Sequence, residues 1–249
     1  MTVDETRHSH ALDAELITDP VERAEREALN GLRQFDAVVE MVEHFLQPER
    51  PFRFRPSQLL HLHRFALDGI SSYAGTWRPA GIDIGGSRHT PPGAHLVPEL
   101  IEDLCDYINS NWNDRSPIHL ASYVMWKLNW IHPFTDGNGR TSRSASYLVL
   151  CLKTGYLLPG KKTIPDQIAD SKPPYYDSLE AADKALETGR IDLTEMESLL
   201  SSLLARQLVG VFDDAMGVAS PGSSFLTDAL AEPSGTTKSL LLKTTNKSS

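Results

Sequence analysis

The sequence predicts a mainly α-helical fold, a helical bundle carrying one short β-hairpin. Three observations lead there. Apolar residues recur at three- and four-residue intervals over most of positions 19–213. Pro20, Pro98 and Pro117 stand where helical patterns begin, a position at which the missing N–H is no loss. One stretch, 75–92, breaks the period with four glycines and three prolines around the alternation Ile82-Asp83-Ile84.

Each element follows from local chemistry. Residues 1–18 are polar and are expected to be a mobile N-terminus. Asp19-Pro20 has the form of a cap followed by a first helical residue, with Glu22 in the first turn. Ala28, Leu32, Phe35, Val38, Val39, Val42, Phe45 and Leu46 then supply an apolar face for an N-terminal helical segment over 19–50, ending near Pro48. Ser57 opens a second helix running to Ile70. Gly85-Gly86-Ser87 is the turn of the expected hairpin. Further helices are expected over 99–112, 118–130, 142–156, 175–187 and 193–212. The body divides as a core over 51–190 and a C-terminal helix over 191–213. Residues 214–249 are rich in Ser, Thr, Gly and Pro and are expected to be a disordered tail.

Charge narrows the function classes. The formal net charge is −9, and residues 1–50 hold twelve acids against five arginines. No basic stripe suits a nucleic acid, and no apolar run approaches the roughly 18 residues of a membrane span. The first residues lack a basic-then-apolar leader, and the two cysteines, Cys105 and Cys151, lie in apolar stretches, so a reducing, cytoplasmic compartment is expected. Between Gly137 and Pro165 there is no acid, while Arg140, Arg143, Lys153, Lys161 and Lys162 are present. A basic island in an acidic chain points to a small anionic ligand.

The segment His132-Pro-Phe-Thr-Asp-Gly-Asn-Gly-Arg-Thr-Ser-Arg143 concentrates the chemistry. Pro133 ends the preceding helix near His132. Gly137 and Gly139 admit positive φ and close approach, and Asp136 and Asn138 are expected caps of the next helix. Backbone N–H groups at that helix start can receive an anion. Arg140 and Arg143, three apart on one face, are cations where the macrodipole opposes them by about 0.3–1 kcal/mol each, so an anion is expected between them and the helix end. Phosphates meet that need, Asp136 beside phosphates suits a bridging Mg²⁺, and His132 is a usable base at neutral pH. Elsewhere, His61 and His63 face different sides of a helix, His8 and His10 lie in the terminus, and Trp126 and Trp130 are expected to pack in the core.

This segment resembles the His-Pro-Phe-x-Asp-Gly-Asn-Gly-Arg-x-x-Arg signature of Fic (Fido) domain proteins at every fixed position. The resemblance runs from about Phe52 to about Glu187 and includes Tyr73-Ala-Gly75 to Pro92 and the Tyr175-Tyr176 pair. It implies a Fic-type helical bundle with a hairpin flap that moves AMP from ATP to a Ser, Thr or Tyr hydroxyl of a target protein, releasing pyrophosphate. His132 would take the hydroxyl proton and Asp136 would hold Mg²⁺. The run Gly137, Asn138, Gly139, Arg140, Thr141, Ser142 and Arg143 would bind the phosphates, with the Asn138 side chain in the anion hole and both arginines on the β- and γ-phosphates. Phe134 would anchor the loop. The flap, Ile82 to His89, would align an extended target segment by strand addition, placing Gly86, Ser87, Arg88 and His89 near the nucleotide. Tyr175, Tyr176 and Asp183 would line the nucleoside side. In the N-terminal helix, Glu27 is the candidate for the family's inhibitory glutamate, pairing with Arg143, although Arg23 stands where Ser or Thr is usual. Other readings stay open: removal of AMP, transfer of another phosphate-containing group, or a locked nucleotide-binding regulator without turnover. The leucines over 199–204 either pack on the body or form a homodimer contact.

Overall fold

The computed structural model describes residues 15–217; the expectations for positions 1–14, with His8 and His10, and for 218–249 lie outside the described residues. The described residues up to Val211 form one compact unit. From Phe212 onward a second unit begins, of which only the end of the last helix and a turn are described.

Eight α-helices are described: α1 (Pro20–Phe45), α2 (Pro56–Leu67), α3 (Val97–Ser110), α4 (Pro117–Ile131), α5 (Asn138–Thr154), α6 (Ile164–Asp170), α7 (Pro173–Glu187) and α8 (Thr194–Ala215). A short 3₁₀ turn, Ala94–Leu96, leads into α3. Among the described residues no helix is long and apolar enough to cross a membrane. The helix starts follow local rules. Asp19 Oδ1 accepts from the N–H groups of Val21 and Glu22, and every helix from α1 to α7 except α5 has proline in its first turn.

At the centre, α4 and α5 pack together as a helical hairpin, with α1 and α2 against α5, α3 and α7 against α4, and α6 against α5. Helix α5 is buried nearly all round from Thr141 to Leu152, apart from Arg143. Met196, Leu200 and Leu203 carry α8 into the same core, and His119 Nδ1 meets Glu197 Oε1 at 2.7 Å while its Nε2 meets the Tyr107 hydroxyl at 2.9 Å. The leucines of α8 therefore pack at least in part on the body.

Four expectations need correction. The stretch 75–92 forms no strand, and no sheet is present among the described residues. A turn is closed by Ser87 N–H donating to the Ile84 carbonyl at 3.2 Å, but Pro79, Pro91 and Pro92 lack the donors a ladder needs. Residues 15–18 are held rather than loose: Leu16 N–H donates to the Ile70 carbonyl at 2.8 Å, and Ile17 packs with Ala66, Leu67 and Ile70. The inward face of α1 differs from the predicted one. Leu32 is 67% exposed, whereas Asn30 and Gln34 are buried, donating to the Asp68 and Leu62 carbonyls at 2.8 and 2.9 Å. This half of α1 docks through amides on backbone at the end of α2. Helix α6 was not expected, because seven residues hold too little period. Its signal is chemical: Thr163 and Asp166 form a reciprocal cap around Pro165.

Candidate active site

The loop between α4 and α5 is built by bonds within itself. His132 takes a left-handed backbone, φ 51°, with its N–H on the Leu128 carbonyl. The Asn138 side chain spans the loop: Oδ1 accepts from Phe134 N–H at 2.9 Å and Nδ2 donates to the Phe134 carbonyl at 2.8 Å. The Phe134 ring is sandwiched between His63, at 3.7 Å and nearly parallel, and Trp77 at 5.1 Å. Gly137 begins α5 at φ 74°, where a Cβ would lie 2.6 Å from Leu67 Cδ2, so no other residue fits without displacement. Neither Asp136 nor Asn138 caps α5, contrary to expectation; Gly137 is the cap and contributes no side chain. Its first N–H groups are left to the cavity side of the loop.

His132 is 7% exposed. Its Nδ1 lies 3.2 Å from the Asn129 carbonyl, so that nitrogen carries the proton, and buried Nε2 has no hydrogen-bond partner. Burial pushes its pKa down to about 4. The ring is therefore neutral at neutral pH with a bare acceptor nitrogen. Asp136 has the reverse setting. Burial pushes its carboxyl up, but Arg140, the Gly137 N–H and Arg23 outweigh this and hold it below the usual carboxylate range. Its Oδ2 lies 3.0 Å from both Arg23 Nη2 and Arg140 Nη2.

These groups face one cavity of about 500 Å³. It gathers His132, Asp136, Gly137, Asn138, Gly139, Arg140 and Arg143 from the loop. Ser87 and His89 come from the 75–92 segment, Tyr175, Tyr176 and Asp183 from α7, and Glu27 from α1. Gly139 leaves space for Arg143, whose Nη1 would be 3.1 Å from a Cβ there. Burial pushes the Arg143 guanidinium pKa down, and the neighbouring Tyr175 opposes this. Gly86, Arg88, Thr141 and Ser142 do not line the cavity. Gly86 forms the turn at φ 67°, and Thr141 and Ser142 point into the core, where Ser142 Oγ donates to the Gly139 carbonyl at 3.1 Å.

Glu27 reaches the site but not the expected partner. Its Oε1 lies 3.4 Å from Arg140 Nη1 and 3.3 Å from Arg23 Nε, and among the described residues no ion pair joins it to Arg143. Glu22 and Glu25 are exposed. Of the basic island, Arg140 and Arg143 enter the cavity; Lys162 is exposed and pairs with Asp170, and Lys153 sits over the Trp112 ring. Trp126 is core as expected, with Nε1–H on Asp183 Oδ1 at 2.8 Å, but Trp130 lines the cavity with Lys127 Nζ 3.8 Å from its ring centre.

Several site residues were not found from sequence. Asn129 orients two sides of the site: its carbonyl accepts from His132 Nδ1–H, and its Nδ2 donates to the Tyr175 hydroxyl at 2.7 Å and Ser142 Oγ at 2.8 Å. His63 accepts from Gly75 N–H on Nδ1 at 3.0 Å, so Nε2 carries the proton toward the Asp136 carbonyl, also 3.0 Å away. In the sequence Arg23 stands out only as a departure from a motif, yet it is one of two cations on Asp136. The i, i+4, i+7, i+11 spacing of Arg23, Glu27, Asn30 and Gln34 was the available signal.

A model of the Fic/DOC family matches residues 53–150. The chain is 36% identical over 100 residues to "Protein adenylyltransferase Fic" of Drosophila willistoni, covering 39% of this chain and 20% of that protein. It is 32% identical over 129 residues to "Protein adenylyltransferase fic-1" of Caenorhabditis elegans, covering 50% and 23%. The chain thus spans less than a quarter of the length of these relatives. Among solved structures, the fold matches Fic-1 (aa134–508) from C. elegans with a TM-score of 0.60 at 22% identity, over 81% of this chain and 55% of that one. It matches a Fic domain containing signaling protein from Bacteroides thetaiotaomicron with a TM-score of 0.60 at 20% identity, over 77% and 74%. The family match covers α2 to most of α5 and every residue of the His132–Arg143 loop, so residues 53–150 are similar to a Fic domain in sequence and the chain is similar to Fic proteins in fold.

Proposed function

We propose that this chain is a protein adenylyltransferase, moving AMP from ATP to a Ser, Thr or Tyr hydroxyl of a target protein. The observation that carries the reading is the orphaned Nε2 of His132, a buried, neutral acceptor beside two arginines and a helix start. The acceptor oxygen bonds to the α-phosphorus, the bond from that phosphorus to the β-bridging oxygen breaks, pyrophosphate leaves, and Nε2 takes the hydroxyl proton. Arg140, Arg143 and the N–H groups of the α5 start receive the charge on the β- and γ-phosphates. Tyr175, Tyr176 and Asp183 stand on the nucleoside side, and the 82–89 segment receives the target chain in extended form. The names of the similar curated proteins support the reaction class.

Among the described residues no group of three or more acidic, His or Cys side chains forms a metal cage. One carboxylate with substrate phosphates suits Mg²⁺, and Asp136 would hold it there, neutralising phosphate charge. Asp136 is engaged by Arg23 and Arg140 in this structure, so that role requires Arg23 to withdraw. The same contact favours the second reading, a nucleotide site locked by α1. The buried thiols Cys105 and Cys151 suit a reducing, cytoplasmic setting.

Labelled ATP tests this. With Mg²⁺ and a cell lysate, label from the α-phosphate should enter protein, label from the γ-phosphate should not, and His132→Ala should lower the rate about 10²–10⁴-fold. Transfer of the γ label overturns the reading. Nucleotide binding with no transfer supports the locked regulator.

A further inference from the structure

Arg78 is 3% exposed, does not line the cavity, and forms no ion pair among the described residues. A buried guanidinium without a carboxylate is costly unless its fork is filled with acceptors. Here it is filled with backbone carbonyls. Nη1 donates to Ala80 O at 2.9 Å and Nη2 to Pro92 O, the two ends of the segment whose tip carries Ser87 and His89. Nε donates to His132 O at 2.7 Å, and Nη2 also faces Ile131 O at 3.5 Å. The Arg78 backbone N–H donates to Pro133 O at 2.9 Å, and the adjacent Trp77 ring stacks on Phe134.

We propose that Arg78 is a positioning residue, a clip that closes the mouth of the 80–92 segment and ties it to the left-handed backbone of His132, so that the acceptor-binding flap and the base are set as one unit. The geometry needs a planar fork. An ammonium presents its donors from one point and cannot reach Ala80, Pro92 and His132 together. Among the described residues no strand pairs with it, and its two ends are fixed by this side chain. A further tie lies nearer the tip, where His89 Nε2 meets the Trp130 carbonyl at 2.7 Å. The kinetic part of this inference rests on the proposed AMP transfer; the structural part does not.

The full chain with Arg78→Lys and Arg78→Gln tests it. Backbone hydrogen exchange should speed up about tenfold or more over 80–92 in both variants, while peptides from α5 exchange as in the wild type. The AMP-transfer kcat should fall about tenfold or more with the KM for ATP within about threefold, because the phosphates are held by other residues. If Arg78→Lys exchanges like the wild type over 80–92, the fork is not needed and the proposal is overturned. If α5 loses protection in step with the flap, Arg78 serves the fold at large and the proposal again fails. If the wild type transfers nothing while flap exchange rises alone, the clip stands and the adenylyltransferase reading falls.

Discussion

The two walls of the cavity are held by different forces. The wall formed by 132–143 is bonded to itself and to its nearest packing partners: Asn138 spans to Phe134, Gly137 begins α5, and Phe134 is sandwiched by aromatic rings. The wall formed by α1 reaches the same cavity through charge alone, with Arg23 and Glu27 on Asp136 and Arg140. Buried, short-range hydrogen bonds give a rigid surface, whereas part-exposed ion pairs contribute little and can exchange partners. A triphosphate carries charge that competes for the same guanidinium groups, so the Arg23 and Glu27 side chains are what a ligand can move, while α1 itself stays anchored by Asn30, Gln34 and its core face.

Gly137→Val should break the rigid wall most, because it adds bulk against Leu67 at a positive φ. A loss of about 3 kcal/mol is expected by urea unfolding. Asn138→Ala should cost about 2 kcal/mol, leaving the Phe134 N–H and carbonyl buried without partners; equal stability would show that water replaces the amide. The His132 ring sharpens the contrast through pH. Its pKa is near 4 when folded against 6.5 when free, so the unfolded chain binds the extra proton between these values. Stability from this group is present above pH 6.5 and is lost as pH falls toward 4, on the order of 3 kcal/mol. Arg78, His89, Asp136 and the Asn129 carbonyl face the ring, so comparing wild type with His132→Asn at pH 4.5 and 7 isolates its share. The smallest stability effect belongs to the ionic wall: Arg23→Ala should change unfolding by under about 1 kcal/mol. Calorimetry of that variant should nevertheless show tighter Mg²⁺–ATP binding, because Asp136 is released. Weaker binding would make Arg23 a phosphate ligand instead.

Most of the helical fold and much of the 132–143 loop, though neither its cap nor the inward turn of Thr141 and Ser142, were legible because their determinants lie close together in sequence. Caps, prolines and a twelve-residue motif act over a few positions. The errors share a cause. The apolar period put Leu32 inside, but α1 docks through Asn30 and Gln34 on carbonyls of the α2 end, an attraction hydropathy does not register. Ile82-Asp83-Ile84 alternates like a strand, yet its neighbouring prolines and the Arg78 carbonyl contacts hold the segment without a ladder. His63 is unremarkable among its neighbours in the sequence, and packing brings Phe134 to its face and Gly75 to its edge.

The chain alone determined where its helices start, where the loop turns, and which residues could serve as base, carboxylate and arginine clamp, since backbone sterics and local hydrogen bonds act within a turn or two. Tertiary packing decided which nitrogen of His132 is bare, that Arg23 rather than solvent faces Asp136, and that Glu27 meets Arg140. Those outcomes depend on burial and on partners as many as 113 positions away, which come together only when separate helices pack.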